Sequence, residues 1–342
     1  MFSAVLGLFS QDVAVDLGTA RTRVHQRGAG LVCDEATLLA IQTDNRGRRS
    51  VVAVGDEAIP MIGRTPPDYE VVAPIAGGRI VDFEACEALL LHLIRRIHGR
   101  NRWMRPRMLV AVPHGASPME IRAIRDSCES AGARDVQLVP RPVAAAVGAD
   151  LPIGRAAGHL IVDIGAGITE VSVVALHGVV SGCVVAGGGR GFDDAIVRWL
   201  QRERALLVGH PTASALKEDV GTAEVETPAC GEARGRCLRA GVPRAIDISS
   251  ENLAEALRPG VDAIAEAVRR TLEQAPPELA SDIVENGVVL VGGGALLTGF
   301  DRYLSRATGL PVVVADDPAL AIARGVGVLL DEPGLLVNVA AA

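Results

Sequence analysis

Four glycine-rich turns and two aspartates are the residues of this chain best suited to chemistry, and that chemistry is the binding of phosphate. Glycine in a hairpin or strand-to-helix turn lets backbone N–H groups approach a ligand closely, and several converging N–H groups form an anion nest. Gly18, Gly165, Gly188–Gly189 and Gly292–Gly294 all stand in such turns. Asp16 and Asp163 precede the first two by two positions, where they can hold the water shell of Mg2+, an ion that favours carboxylates and keeps its waters. One glycine turn alone usually does no more than turn the chain. Four of them, drawn from both halves of the sequence, imply a nucleotide gripped in a cleft between two domains. Neither the P-loop pattern nor a G-x-G-x-x-G turn with its acidic partner stands in the right place.

The elements that must hold these turns are repeated. Val13 to Val24 reads as a tight hairpin, and the same arrangement returns over His159 to Val174. Val162-Asp163-Ile164-Gly165 and Thr169 match Val15-Asp16-Leu17-Gly18 and Thr22 at an offset of 147 positions. That period is too long for a solenoid unit, so each copy is expected to open a domain of its own. Between the copies, Ser117-Pro-Met-Glu120 is a capping box that starts a helix running to Gly132. Residues 84–98 carry Leu89, Leu90, Leu93, Ile94 and Ile97 on one helical face, and Met108 to Val112 reads as a buried strand. Later, a helix is expected from Asp193, and Val288 to Leu297 reads as a strand, a triple-glycine turn and a helix start. Strands alternating with helices predict a layered α/β architecture. Glu224 to Ala245, with Pro228, Gly231, Gly235, Gly241 and Pro243, is expected to be a polar, irregular and mobile loop.

Length and composition set the class. The 342 residues exceed one ordinary core and suit two domains. With 49% apolar residues the chain is globular, and a formal charge of −7 argues against nucleic acid as a partner. The six cysteines form no C-x-x-C pair, which suits small core residues of a reduced, cytoplasmic compartment. No apolar run approaches the length needed to cross a bilayer. Written as a helix, Met1 to Ser10 places Phe2, Val5, Leu6 and Phe9 on one stripe. This is either a frayed terminus or strand-flanking segment, or an interfacial membrane anchor, weak as a single copy for want of basic residues and effective only as an array. Arg95, Arg96, Arg100, Arg102, Arg105 and Arg107 form a basic stretch, either a solvated helix end or a contact for lipid headgroups or a partner. Of the 34 basic residues, Lys217 is the one lysine, which points to a need for an amine there.

The paired Asp-[Leu/Ile]-Gly hairpins, the Gly-Gly-Gly-Ala-Leu-Leu turn ending at Leu297 and the small-residue helix from Pro142 to Gly148 resemble the actin, Hsp70 and sugar-kinase superfamily. Within it the chain is most similar to the MreB family of bacterial actins, through Asp16 to Ala20, Ile62-Gly-Arg-Thr-Pro66, Gly78-Arg-Ile-Val-Asp-Phe83, Thr169-Glu-Val171 and Pro276-Pro-Glu-Leu-Ala-Ser-Asp-Ile283. The resemblance covers roughly residues 1 to 332. It implies an actin-like two-domain α/β fold of duplicated ribonuclease H-like domains with the nucleotide cleft between them. Residues 1–12 would be an amphipathic membrane-binding segment, 13–149 with about 320–332 the first domain, 150–319 the second and 333–342 a tail. The implied function is that of an ATP- and Mg2+-binding protein whose filaments lie at the inner face of the cytoplasmic membrane and govern cell shape and wall synthesis. Its implied partners are copies of itself or an intact family member, and membrane wall-synthesis proteins.

Carried over residue by residue, the resemblance puts Thr19, Ala20, Gly165, Ala166 and Gly167 on phosphate loops and Asp16 and Asp163 on metal-facing positions. Gly293, Gly294 and Ala295 fall on an adenosine turn flanked by Gly292 and Leu296, and Lys217 and Asp219 on a nucleoside-contacting helix. Gly18, Arg21, Thr169, Gly188 and Gly189 complete the cofactor-binding set. Two catalytic positions depart from the family. Arg141 stands where the family has a glutamate that orients the attacking water, and Ile168 where it has a threonine that helps position the same water. Arginine accepts no proton and isoleucine has no hydroxyl, so the water-positioning pair is lost. Arg21 also replaces an asparagine, and Arg190 stands near a family aspartate.

Three readings stay open at this point. ATP is bound without efficient hydrolysis; or Arg141 acts on the transferring phosphate in an altered ATPase; or the arginines pair with Asp16 and Asp163 and close an empty pocket. A small-molecule kinase or a chaperone-type ATPase on the same fold is the alternative class. The first would need an aspartate base in the cleft, and the second a peptide-binding domain for which the sequence leaves no room.

Overall fold

The computed structural model describes residues 12–98 and 105–341. The expected anchor residues Phe2, Val5, Leu6 and Phe9, and Arg100 and Arg102 of the basic stretch, lie outside the described residues. The chain divides into two compact units, one comprising Met1–Gly154, Leu176–Gly178 and Leu320–Ala342, the other Arg155–Ala175 and Val179–Ala319.

The first unit begins with β1 (Val13–Leu17), β2 (Arg21–Gln26) and β3 (Gly30–Ala36), each antiparallel to the one before. A small three-stranded sheet follows, from β4 (Leu39–Thr43), β5 (Arg49–Val54) and β6 (Tyr69–Val72), then a ribbon of β7 (Ile75–Ala76) and β8 (Arg79–Ile80). After α1 (Phe83–His98) come β9 (Arg107–Val112), α2 (Pro118–Ser130), β10 (Asp135–Pro140) and α3 (Arg141–Gly148). β9 lies parallel to β1, and β10 parallel to β9, which gives a five-stranded sheet ordered β10-β9-β1-β2-β3.

The second unit repeats this plan. β11 (His159–Ile164) and β12 (Ile168–Ala175) form the antiparallel hairpin, with β13 (Gly178–Ala186) beside it. Then follow α4 (Gly189–Arg204), β14 (Leu206–Leu207), α5 (His210–Val220), β15 (Cys230–Cys237), β16 (Pro243–Ser249), α6 (Ser250–Gln274), α7 (Pro277–Asn286), β17 (Val288–Val291), α8 (Phe300–Thr308) and β18 (Val312–Val314). β17 is parallel to β11 and β18 to β17, so the sheet runs β13-β12-β11-β17-β18. The chain then returns to the first unit as α9 (Ala321–Asp331) and α10 (Pro333–Ala341). The registers repeat as well: Asp16 faces Arg23 and Leu17 faces Thr22, as Asp163 faces Glu170 and Ile164 faces Thr169.

The central strands β1 and β11 are buried at every position, as strands covered on both faces must be. Each unit has its own core. In the first, Val13, Val15, Leu89, Leu90, Leu93, Met108 and Val110 pack together; in the second, Leu160, Phe192, Trp199, Leu257, Ile264 and Phe300. Cys86 and Cys128 sit within the first core, where burial pushes both thiols up to about 12 and makes them inert packing groups. The capping box of α2 is present in full: Ser117 Oγ accepts from the Glu120 N–H at 3.3 Å, and Glu120 Oε2 accepts from the Ser117 N–H at 2.7 Å.

Two expectations need correction. Glu224 to Ala245 is not an irregular loop, because Cys230–Cys237 pairs along its length with Pro243–Ser249 and also with β14. Its glycines serve close packing: a Cβ on Gly235 would stand 2.4 Å from the Leu207 carbonyl oxygen, and one on Gly231 would stand 3.2 Å from Val220. Ala233 and Cys237 both point inward, a period-2 signal that the surrounding glycines and prolines masked. The helix expected from Asp193 starts four residues earlier, at Gly189. Within residues 333–342, expected as a C-terminal tail, Pro333–Ala341 is helical as α10.

Among the described glycines, the closest backbone approach is at the crossing of α3 and α9. A Cβ on Gly325 would lie 1.7 Å from the Ala144 carbonyl oxygen, and one on Gly148 would lie 1.8 Å from that of Ala321. Both obstacles are backbone, so neither can rotate away. Gly325→Ala is therefore expected to lower the thermal midpoint, at a cost of about 1–3 kcal/mol for overpacking. Gly334→Ala, in open space on α10, should stay within about 0.5 kcal/mol of the parent in the same denaturation measurement.

Candidate functional site

In the first unit, the β1–β2 turn closes through one hydrogen bond, from the Gly18 N–H to the Arg21 carbonyl at 3.1 Å. A side chain at Gly18 is excluded because its Cβ would lie 2.6 Å from that same oxygen. Thr37 buttresses the turn from the end of β3: its N–H meets the Ala20 carbonyl at 2.9 Å, its hydroxyl donates to the Gly18 carbonyl at 2.8 Å and lies 2.9 Å from that of Thr22. Thr19 is buried and its hydroxyl accepts from the Gly78 N–H at 3.3 Å, whereas Ala20 is exposed at the tip.

Asp16, one residue before the end of β1, is 4% exposed. Arg141, the first residue of α3, is also buried, and its Nη1 donates to Asp16 Oδ1 at 3.3 Å. Arg23, facing Asp16 across the hairpin, brings its Nη1 to 3.9 Å from Asp16 Oδ2. Arg23 Nε also donates to Asp34 Oδ2 at 3.2 Å. Arg21 is drawn the other way, onto Asp34 and Asp56. Thus the first two arginines of β2 and the head of α3 meet a row of carboxylates. Of the ion pairs that would close an empty pocket, the one between Arg141 and Asp16 is formed.

In the second unit the same turn recurs. The Gly165 N–H donates to the Ile168 carbonyl at 3.0 Å, the counterpart of Gly18 and Arg21. Here a second glycine turn does the work of Thr37. The N–H groups of Gly187, Gly189 and Arg190 donate to the carbonyls of Gly167, Gly165 and Ala166 at 3.1, 2.9 and 2.9 Å, and Thr169 Oγ1 donates to Gly187 O at 3.2 Å. Gly188 must be glycine, since its Cβ would meet the Gly165 oxygen at 2.2 Å. Ile168 is buried at the start of β12 and offers no polar atom from its side chain.

The triple-glycine turn packs against the end of β11. Gly292 takes φ +82°, and a Cβ there would fall 2.5 Å from Asp163 Oδ1; one on Gly294 would fall 2.3 Å from the Ile164 side chain. Gly293 meets nothing and Leu296 is 64% exposed, while Ala295 is buried, so the turn presents one open face. On α5, Asp219 is exposed, but Lys217 turns inward. Its Nζ donates to Asp193 Oδ1 at 2.7 Å and to the Gly189 carbonyl at 3.1 Å, tying α5 to the first turn of α4. Burial holds the Asp193 carboxyl above its ordinary range, against the opposing pull of Lys217. Burial likewise depresses the Arg190 guanidinium below its ordinary range.

Sequence reasoning named the two aspartates, the four turns and Lys217, and missed three partners. Arg23 was discoverable, because hairpin register puts it opposite Asp16. Asp193 and Thr37 gave no comparable signal. In the basic stretch, Arg96 pairs with Glu35 and Arg107 with Asp135. Among the described residues, no helix is long and apolar enough to cross a membrane.

Residues 10–337 match the family model described as MreB/Mbl protein. The chain is 46% identical over 338 residues to the cell shape-determining protein MreB of Escherichia coli (strain K12), covering 97% of this chain and 96% of that protein. It is 38% identical over 328 residues to the cell shape-determining protein Mbl of Bacillus subtilis, covering 95% and 97%. Among solved structures it is similar to MreB5 of Spiroplasma citri bound to AMPPNP, with a TM-score of 0.90, 31% identity and coverage of 97% and 98%. A MamK double helical filament, at 23% identity and a TM-score of 0.78 over 94% and 99% of the two chains, shares the fold.

Lys217→Met is expected to destabilise the protein by about 3 kcal/mol, because it strands a buried carboxylate. With Lys217 gone, burial raises the Asp193 pKa in the native state against only the smaller pull of His210, so the native state binds a proton more readily than the unfolded chain. The deficit against the parent should therefore be largest near pH 7 and shrink as the pH falls toward about 4, the ordinary aspartate range. Denaturant midpoints across pH measure this, and a deficit that grows on acidification would contradict it.

Proposed function

The chain belongs to the MreB/Mbl family, and from that premise we propose that it is an ATP-binding bacterial actin that retains its nucleotide with impaired hydrolysis. The family and the actin-like fold make it a cytoskeletal protein of the cell-shape type, and they do not favour the kinase or chaperone alternative. The observation that carries the hydrolysis reading is the residue at the head of α3. Arg141 is held on Asp16 at 3.3 Å, and a guanidinium is a donor only, charged at every working pH. It cannot take a proton from water. Ile168, at the second water-positioning place, supplies no hydroxyl.

ATP is the proposed ligand for three reasons. Each unit carries one closed Asp-x-Gly turn, the Gly293 turn presents an open face, and the relative MreB5 was solved with AMPPNP. Loss of a positioned general base costs about 10²- to 10⁴-fold in rate, so a bound triphosphate persists and the assembled state lasts longer. The protein is proposed to assemble with copies of itself or with an intact family member, at the inner face of the cytoplasmic membrane alongside wall-synthesis proteins. The apolar stripe Phe2, Val5, Leu6 and Phe9 supports the membrane assignment.

Phosphate release in Mg-ATP, measured beside the double variant Arg141→Glu, Ile168→Thr, tests the hydrolysis reading. The parent is expected to be slower than the double variant by roughly 10²-fold; equal rates, or a faster parent, would give Arg141 a working role in the reaction. Deleting residues 1–10 should abolish co-pelleting with liposomes while leaving the circular dichroism spectrum unchanged. Undiminished pelleting would remove the anchor.

A further inference from the structure

The second unit holds a trough between α4 and α6, its wall completed by Val185 to Gly188 at the end of β13. It encloses about 420 Å³, a size within the roughly 300–1,000 Å³ of small-molecule sites. Small side chains make the space. The two helices meet where Phe192 packs on Gly260, since a Cβ there would stand 2.8 Å from the Phe192 ring. Elsewhere along the trough, Ala195 on α4 and Ala256 and Ala263 on α6 are too short to fill it. Pro259 also lines the trough, and its missing N–H interrupts the helical hydrogen bonding of α6 as it passes.

The lining is chemically uneven. Phe192 and Trp199 stand two turns apart on one face of α4, and both line this trough in a chain that is only 3% aromatic. Trp199 is 4% exposed, and its indole Nε1 has no hydrogen-bond partner. A buried donor left without an acceptor is costly, and a ligand bearing an acceptor removes that cost. Arg198 and Arg202, one turn apart on α4, line the same trough and are exposed. Arg202 is paired with Glu203 at 2.6 Å, whereas Arg198 enters no ion pair or hydrogen bond among the described residues. We propose that the trough binds a small amphiphilic anion, with an aromatic body against Phe192 and Trp199 and one acidic head on Arg198. A guanidinium holds a carboxylate, sulfonate or phosphate head through charge-assisted hydrogen bonds. Glu255, the acidic side chain on the α6 wall, repels a second acidic group, so the ligand is a monoanion. The inference is independent of the nucleotide reading, and its test needs no nucleotide to be bound.

The test is a titration of the purified full-length chain with anilinonaphthalene sulfonate, read by energy transfer from Trp199. A Trp103→Phe background leaves Trp199 as the one indole. N-phenylnaphthylamine, which has the same rings without the sulfonate, is the neutral comparison. The sulfonate is expected to saturate a single site and to bind at least about tenfold tighter than the neutral amine, and Arg198→Gln should bring the two within about threefold. Ala263→Phe, at an exposed position on α6, should fill the trough and abolish energy transfer to both probes. Arg198→Gln, a surface change, keeps the test decisive should phenylalanine at that position disturb packing. Absence of saturable binding, or binding that survives Ala263→Phe, overturns the inference, as does a tenfold preference that survives Arg198→Gln. Displacement of the sulfonate by excess Mg-ATP also overturns it, because the trough would then be part of the nucleotide site.

Discussion

The hydrogen bond that closes each Asp-x-Gly turn is the constraint around which both units are built. It runs from Gly18 to Arg21 in one and from Gly165 to Ile168 in the other, at 3.1 and 3.0 Å. It fixes where the first strand stops and the second begins, and so fixes the register that sets Asp16 against Arg23 and Asp163 against Glu170. Register in a hairpin is all or nothing, since a slip of one residue turns every side chain to the other face. The two turns are reinforced differently, one by the threonine Thr37 and the other by the Gly187 to Arg190 backbone. The duplicated plan therefore keeps its geometry while the chemistry around it diverges.

That divergence is concentrated at the head of α3. The helix is made of small residues because it must approach α9 at backbone distance, and a helix so placed has little freedom to shift. Whatever side chain begins it is delivered to the same point beside Asp16. The backbone itself is shared with MreB5, at a TM-score of 0.90 and 31% identity.

Much of the fold was legible because local signals agreed with the tertiary outcome. The repeated Val-Asp-[Leu/Ile]-Gly pattern gave both hairpins, the Ser117 to Glu120 capping box gave α2, and the Leu89 to Ile97 face gave α1. The β15–β16 hairpin was illegible because glycine signals a turn in one dimension and close packing in three; Gly235 sits against the Leu207 backbone, a contact that sequence spacing does not announce. At the site, the residue types could be read but their partners could not. Arg141 lies 125 positions from Asp16, and nothing in the order of residues says whether its charge faces a carboxylate or a ligand. Lys217 was flagged by its rarity, yet its contact with Asp193 depends on how α5 leans on α4.

Lys217 has a consequence beyond packing. As the one lysine in the chain, it is the only side-chain amine the protein offers, and it is held against Asp193 and the Gly189 carbonyl. Enzymes and reagents that write on lysine side chains, whether by acylation, alkylation or attachment of another polypeptide, find a single address, and its amine is already engaged by two acceptors on α4. Its reactivity is thus a gauge of how firmly that pairing holds. For a protein otherwise dressed in arginine, the covalent vocabulary of lysine modification is reduced to one word.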